Sequence, residues 1–119
     1  MDRANEAIAD PTADLDQFLQ ANLDWHVGVA MASHNELLIG FMIALSQAIY
    51  AGTENAAFVD TEVRAVAGQA HRAITTAIRD RDATAAGRRM RRHVHSYAGA
   101  LAEYDEREAI VVGDCAVGE

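Results

Sequence analysis

The fold of this chain is decided by the stretch NLDWHVGVAMASHNELL, which occupies residues 22–38. Apolar residues recur from Leu15 to Ala30 at the spacing of one helix face. The break at 33–35 ends in Asn35, a residue type that often caps a following helix. The pattern therefore predicts two helices, over about residues 13–32 and about residues 36–51.

A second stretch, QAHRAITTAIRDRDATAAGRRMRRHV at residues 69–94, repeats this pattern. It predicts helices over about residues 61–79 and 83–104, joined by a tight turn that Asp82 can cap. No period-2 alternation is long enough to indicate a strand. We therefore expect an all-α, antiparallel helical bundle over 12–104, with tails over 1–11 and 105–119.

The length, net charge and cysteine content of the chain exclude several classes of protein. The chain has 119 residues, of which 50% are hydrophobic, enough for one modest core. A formal net charge of -8 opposes nucleic-acid binding, so we expect no direct DNA binding by this chain. The single cysteine, Cys115, allows no disulfide within the chain. The N-terminus does not resemble a signal peptide and the longest apolar run is too short for a membrane span, so we expect a cytoplasmic protein.

Four polar residues fall on the apolar faces of the predicted helices. Asn22 and His26 are one turn apart on the buried face of their helix, whereas Asp24 points elsewhere. His71 and His93 are equally far from Asp82, so in an antiparallel hairpin each lies roughly 16 Å from the turn and the two face each other.

Buried polar groups need partners, and two interpretations of this set remain open. One divalent transition metal would satisfy all four groups, since imidazole suits zinc, nickel, iron or copper. Alternatively, the histidines are core residues that only form hydrogen bonds. His34, in a predicted turn, and His95, among charged residues, are needed by neither interpretation.

The two quoted stretches resemble the signatures of the FCD domain, the effector-binding domain of FadR-type GntR transcription regulators. The resemblance covers roughly residues 14–104. It implies a helical bundle with a metal held by one Asp or Asn and three His, and a small carboxylate effector beside the metal. Matched residue by residue, the metal ligands are Asn22, His26, His71 and His93, with zinc or nickel as the expected ion.

The sequence departs from the family pattern in two respects. Asn22 stands where the family more often has aspartate, which leaves the charge of the metal unbalanced and favours an anionic effector. The winged helix-turn-helix that precedes this domain in the family, and one or two of the domain's first helices, are absent from the sequence. We therefore expect an N-terminally truncated bundle with an uncovered apolar face, which favours a homodimer or association with a missing segment.

Two aromatic residues are candidates for contact with the effector. Trp25 flanks His26 and is expected to pack in the core, with a place in the effector pocket as the alternative, and Tyr97 lies one turn beyond His93. We expect a sensor of a small organic acid and not an enzyme. The alternatives are a mononuclear metal-dependent enzyme, which lacks an evident general base here, and a structural remnant without metal. The basic run at 88–92 is expected to be a solvated helix face.

Overall fold

The computed structural model describes residues 1–51 and 60–117, with side chains except at 49, 51, 97, 100, 101 and 104–117. The described residues contain five α-helices and no strand, which confirms the all-α prediction. The helices are α1 (Asp2–Ile8), α2 (Leu15–Ala32), α3 (Glu36–Ala51), α4 (Thr61–Arg79) and α5 (Ala83–Val117).

Polar side chains cap the starts of α2, α3 and α5. Asp14 and Gln17 form a reciprocal capping box at the start of α2. Asn35 accepts hydrogen bonds from two backbone amides of α3, and Asp82 accepts one from Ala85 in α5. These local bonds satisfy amides that have no partner within a helix, so α2, α3 and α5 start within two residues of the predicted positions.

The turn between α4 and α5 folds these helices back on each other. Arg81 adopts a left-handed backbone conformation (φ 58°), and the amide of Asp82 donates to the carbonyl of Ala77, as at many helix ends. Farther along the pair, the Arg89 guanidinium donates to the Ala73 carbonyl over 2.7 Å. Residues on either side of the turn therefore face each other, as expected for an antiparallel hairpin.

The residues predicted as an N-terminal tail include a short helix, α1 (Asp2–Ile8). This helix packs against α2 and α4 and buries Asn5 and Ile8. The side-chain amide of Asn5 donates to Thr75 Oγ1 over 2.9 Å. Because a helix this short is unstable alone, its contacts with α2 and α4 stabilise it.

In the segment predicted as a C-terminal tail, the backbone of α5 stays helical as far as Val117. The predicted helix ends near residue 104 because the sequence loses its apolar period after Tyr104. Helical backbone hydrogen bonds need no such period, and the segment contains good helix formers such as Glu106 and Ala109.

The core and α3 differ in burial. Four large side chains are less than 2% exposed, whereas Leu37 and Phe41 of α3 are 81% and 66% exposed. The four buried side chains are Trp25, Phe18, Ile74 and His71.

Among the described residues, no helix combines the length and the apolar character that a membrane span requires.

Candidate metal centre

Three histidines from three helices meet in the interior. His26 of α2, His71 of α4 and His93 of α5 each offer a ring nitrogen, and these nitrogens lie within 4.8 Å of one another. The Nε2 atoms of His71 and His93 are 3.0 Å apart. Two imidazole nitrogens bound to one ion at about 2.0–2.1 Å would be about 3.0–3.4 Å apart, so this spacing suits a metal as well as a hydrogen bond.

Burial keeps these imidazoles uncharged. It lowers the pKa of His26 from 6.5 to about 4, with a smaller contribution from His93. Burial, followed by the neighbouring histidines and Arg72, lowers the pKa of His71 to about 2. Burial also lowers the pKa of His93. Since a metal binds neutral imidazole, protons do not compete for these ligands near neutral pH.

One side of the cluster is closed by Trp25. Its indole ring stacks on the His71 ring, with centroids 3.8 Å apart and an interplanar angle of 4°. The indole Nε1 donates to Thr75 Oγ1 over 2.9 Å, and the same hydroxyl donates to the His71 carbonyl. Thr75 also accepts the hydrogen bond from Asn5, so one hydroxyl joins α1, α2 and α4 behind the histidines.

His71 has one unsatisfied ring atom. Its Nδ1 is buried and has no hydrogen-bond partner among the described residues. Histidines that bind metal usually donate from their second nitrogen to a carbonyl or carboxylate. Here the stacked indole of Trp25 orients the ring instead, and an unpaired Nδ1–H would cost about 1–3 kcal/mol.

The other side of the cluster opens into a cavity of about 530 Å³ between α2, α3 and α5. His26 and His93 line it, as does Asn22, which is 8% exposed. Most of the remaining wall is apolar. Its other lining residues are Leu23, Val29, Ala30, Ser33, Leu38, Phe41, Met42, Leu45, Met90 and Val94.

The structure brings most of the predicted metal ligands to the wall of one cavity. The three histidines come together as the helix faces predicted, and Asn22 lies on the wall of the cavity that His26 and His93 share. Trp25 is fully buried against His71 and is not among the described residues that line the cavity, which agrees with the place in the core that its position beside His26 also allows. The side chain of Tyr97 lies outside the described residues.

The three polar residues that the sequence pattern leaves outside the site, Asp24, His34 and His95, are all exposed. Asp24 accepts a hydrogen bond from Gln20. Sequence reasoning missed Thr75, and no local signal marks it, because its partners lie 50 and 70 residues away along the chain. It also missed that α3 supplies a cavity wall, although the uncharged run after Glu36 was a usable signal.

Comparison with known proteins gives one match. The family model of the FCD domain matches residues 1–96, which is most of the chain and includes α1 and all three histidines. No curated protein and no solved structure matches the chain.

Proposed function

The chain belongs to the FCD domain family, the effector-binding domains of GntR-type regulators, and we propose that it senses a carboxylate at a bound metal. In this proposal Asn22, His26, His71 and His93 hold one divalent transition ion, zinc or nickel. The ion would act as a Lewis acid that binds a carboxylate oxygen of the effector.

The observation that carries the proposal is the convergence of three imidazoles at the wall of a cavity. Their nitrogens lie within 4.8 Å of one another, and two of the rings also line the cavity of about 530 Å³. The donor set fits a transition metal, because uncharged imidazole is a good ligand for zinc and nickel. A cavity of this size is typical of small-molecule sites.

The charge of the site favours an anionic effector. Three neutral imidazoles and the amide of Asn22 would leave the double positive charge of the ion uncompensated. Among the described residues that line the cavity there is no Asp or Glu to supply negative charge. A carboxylate is the simplest ligand that binds the ion and balances part of its charge.

The same lining supports a sensor more than a hydrolase. A metal-dependent hydrolase needs a carboxylate or similar base beside the metal-bound nucleophile. The described part of the cavity wall has no acidic residue, and Asp24 is exposed and bonded to Gln20. We therefore propose that the site binds its effector without turnover. A regulator that acts on DNA would do so in the cytoplasm.

The partner in this proposal is a second copy of the chain or a segment of a larger regulator. Leu37 of α3 is 81% exposed and does not line the cavity, and such apolar surface is typically covered in an assembly. Light scattering on the purified chain would measure its mass directly. A monomer at all concentrations would contradict the homodimer.

Elemental analysis of purified protein after incubation with zinc and desalting tests the metal site. We expect about one ion per chain, reduced strongly in His71→Ala and His93→Ala. His93 is partly exposed, so its replacement disturbs the fold less than that of His71. His95→Ala is the matched control, since His95 is exposed on the same helix.

Two outcomes would contradict the proposal. Wild-type protein that retains neither zinc nor nickel would show that the histidines only form hydrogen bonds. Equal metal content in the wild type and in folded His93→Ala would place the ion elsewhere. Circular dichroism of each variant separates loss of metal from loss of fold.

A further inference from the structure

We infer that the effector is a monocarboxylate with an apolar body, and not a dicarboxylate or a polyhydroxy acid. This inference rests on the proposed function and names the class of ligand. It comes from the distribution of polar and apolar side chains around the cavity. The polar lining residues are Asn22, His26, Ser33 and His93, and the others are apolar.

The charge of the cavity lining limits the charge of the ligand. No Lys or Arg lies among the described residues that line the cavity, so only the ion proposed at the histidines attracts an anion there. A second carboxylate on the ligand would be buried against apolar side chains without a partner. Burying such a group is costly, so the cavity favours a single negative charge.

The cavity wall away from the histidines is apolar and would face the other end of the ligand. All lining residues contributed by α3 are apolar, and two of them, Leu38 and Phe41, are 51% and 66% exposed. A ligand that covers them removes apolar surface from water, which favours binding. Among the described lining residues, Ser33 alone carries a hydroxyl that could bond to hydroxyl groups of a ligand. A sugar acid would therefore lose hydrogen bonds to water and replace few of them.

The volume of the cavity favours a ligand larger than acetate or lactate. The cavity has a volume of about 530 Å³, within the range of sites that hold drug-sized ligands. Acetate or lactate would fill a small part of it and leave the apolar wall exposed to water. A chain of several methylene groups, or an aromatic ring, covers more of that wall and gains affinity with each buried group.

Isothermal titration of the zinc-loaded protein with four acids tests the inference. Octanoate and suberate have equal chain lengths and differ by one terminal carboxylate. Acetate and gluconate test the apolar body and the hydroxyl groups. We expect octanoate to bind about tenfold more tightly than the other three, or better, because it alone buries an apolar chain and a single charge.

The outcomes separate the inference from the proposed function. Suberate or gluconate binding as tightly as octanoate would overturn the inference and leave a carboxylate sensor intact. Zinc-loaded protein that binds none of the four acids would overturn both. Octanoate affinity that falls with rising protein concentration, as dimers form, would assign the cavity to a second copy and overturn the inference.

A pair of substitutions on α3 locates the binding. Leu38→Arg adds a cation at the cavity wall, whereas Ile43→Arg makes a similar change at an exposed residue that does not line it. We expect Leu38→Arg to weaken octanoate and strengthen suberate by about tenfold each, because the guanidinium pairs with the second carboxylate. Ile43→Arg should bind both acids as the wild type does. Equal effects of the two variants would overturn the location.

Discussion

The two sides of the histidine cluster are built from different kinds of side chain. On the closed side, formed by α1, α2 and α4, Trp25 is fully buried and Thr75 joins three hydrogen bonds. On the open side, formed by α3 and α5 with part of α2, Leu38, Phe41 and Val94 are more than half exposed around a cavity.

The closed side is suited to holding the metal ligands in place, and the open side is suited to accepting a small molecule. A site that binds one ion needs its ligands held in a fixed geometry by a supporting shell, and the closed side holds His71 by stacking and by the bond to its carbonyl. A site that binds an effector needs space beside that ion, and the open side leaves it. Substitutions matched between the two sides should therefore have different effects on stability.

The largest contrast is expected between Trp25→Ala and Phe41→Ala. Removing the fully buried indole leaves a cavity and should lower the free energy of unfolding by about 3–5 kcal/mol. Phe41 is 66% exposed, so its replacement should change stability by less than about 1 kcal/mol. Urea unfolding followed by circular dichroism measures both. Similar losses would mean that α3 is as well covered as the core.

A smaller contrast is expected between two adjacent threonines of α4. Thr75→Val leaves the indole of Trp25 and the amide of Asn5 without an acceptor, so we expect a loss of about 2–3 kcal/mol. Thr76 is exposed and bonds only to the Arg72 carbonyl, so Thr76→Val should cost less than about 0.5 kcal/mol. The same urea titration decides, and equal stability of the two variants would disprove the network behind the histidines.

The pH dependence of stability tests the burial of the cluster. In the folded protein the pKa values of His26 and His71 are lowered to about 4 and about 2, whereas unfolded histidine takes up a proton near 6.5. The unfolded state binds more protons between these values. Stability of the metal-free protein should therefore be highest above about pH 6.5 and fall as the pH drops toward 4.

Urea midpoints of metal-free protein at about pH 7.5 and about pH 5 measure this slope. His26→Gln should reduce the slope, because one buried titrating group is gone. The control His95→Gln should leave the slope unchanged, since His95 is exposed. A wild-type midpoint that does not change over this range would show that the histidines are accessible to protons in the fold.

The smallest contrast is expected between two glycines. An added Cβ at Gly40 of α3 meets no atom within 4 Å, so Gly40→Ala should stabilise the protein by about 0.5–1 kcal/mol. At Gly68 of α4 the Cβ would lie 3.2 Å from Ile8 Cγ2, and this crowding should offset the gain in helix propensity. Thermal unfolding compares the two. An equal gain at Gly68 would mean that α1 does not lie closely on α4.

Much of the helical framework could be predicted from local patterns. Apolar spacing and capping residues such as Asn35 and Asp82 act within a few positions, so the sequence predicts α2, α3 and α4 to within two residues at each end. The convergence of His71 and His93 follows from their equal distance from the turn, and their Nε2 atoms are 3.0 Å apart. Geometry that depends only on a helix repeat and one turn can be computed from sequence.

The rest depends on contacts between segments distant in the chain. Asp2–Ile8 has too few residues to form a stable helix alone, and its contacts with α4, such as the bond from Asn5 to Thr75, join residues far apart in the chain. Trp25 is next to His26 in sequence, but its ring stacks on His71 of another helix. No periodicity within one helix specifies which neighbour a side chain will meet.

The helical character of the chain and the histidines on apolar helix faces can be predicted from residue spacing within a few turns. The closure of one side of the cluster by α1 and Trp25, and the opening that α3 leaves on the other side, become visible only when the helices are packed together. A helix repeat assigns each side chain a direction, but the distance between two helices depends on how the side chains of both fit together.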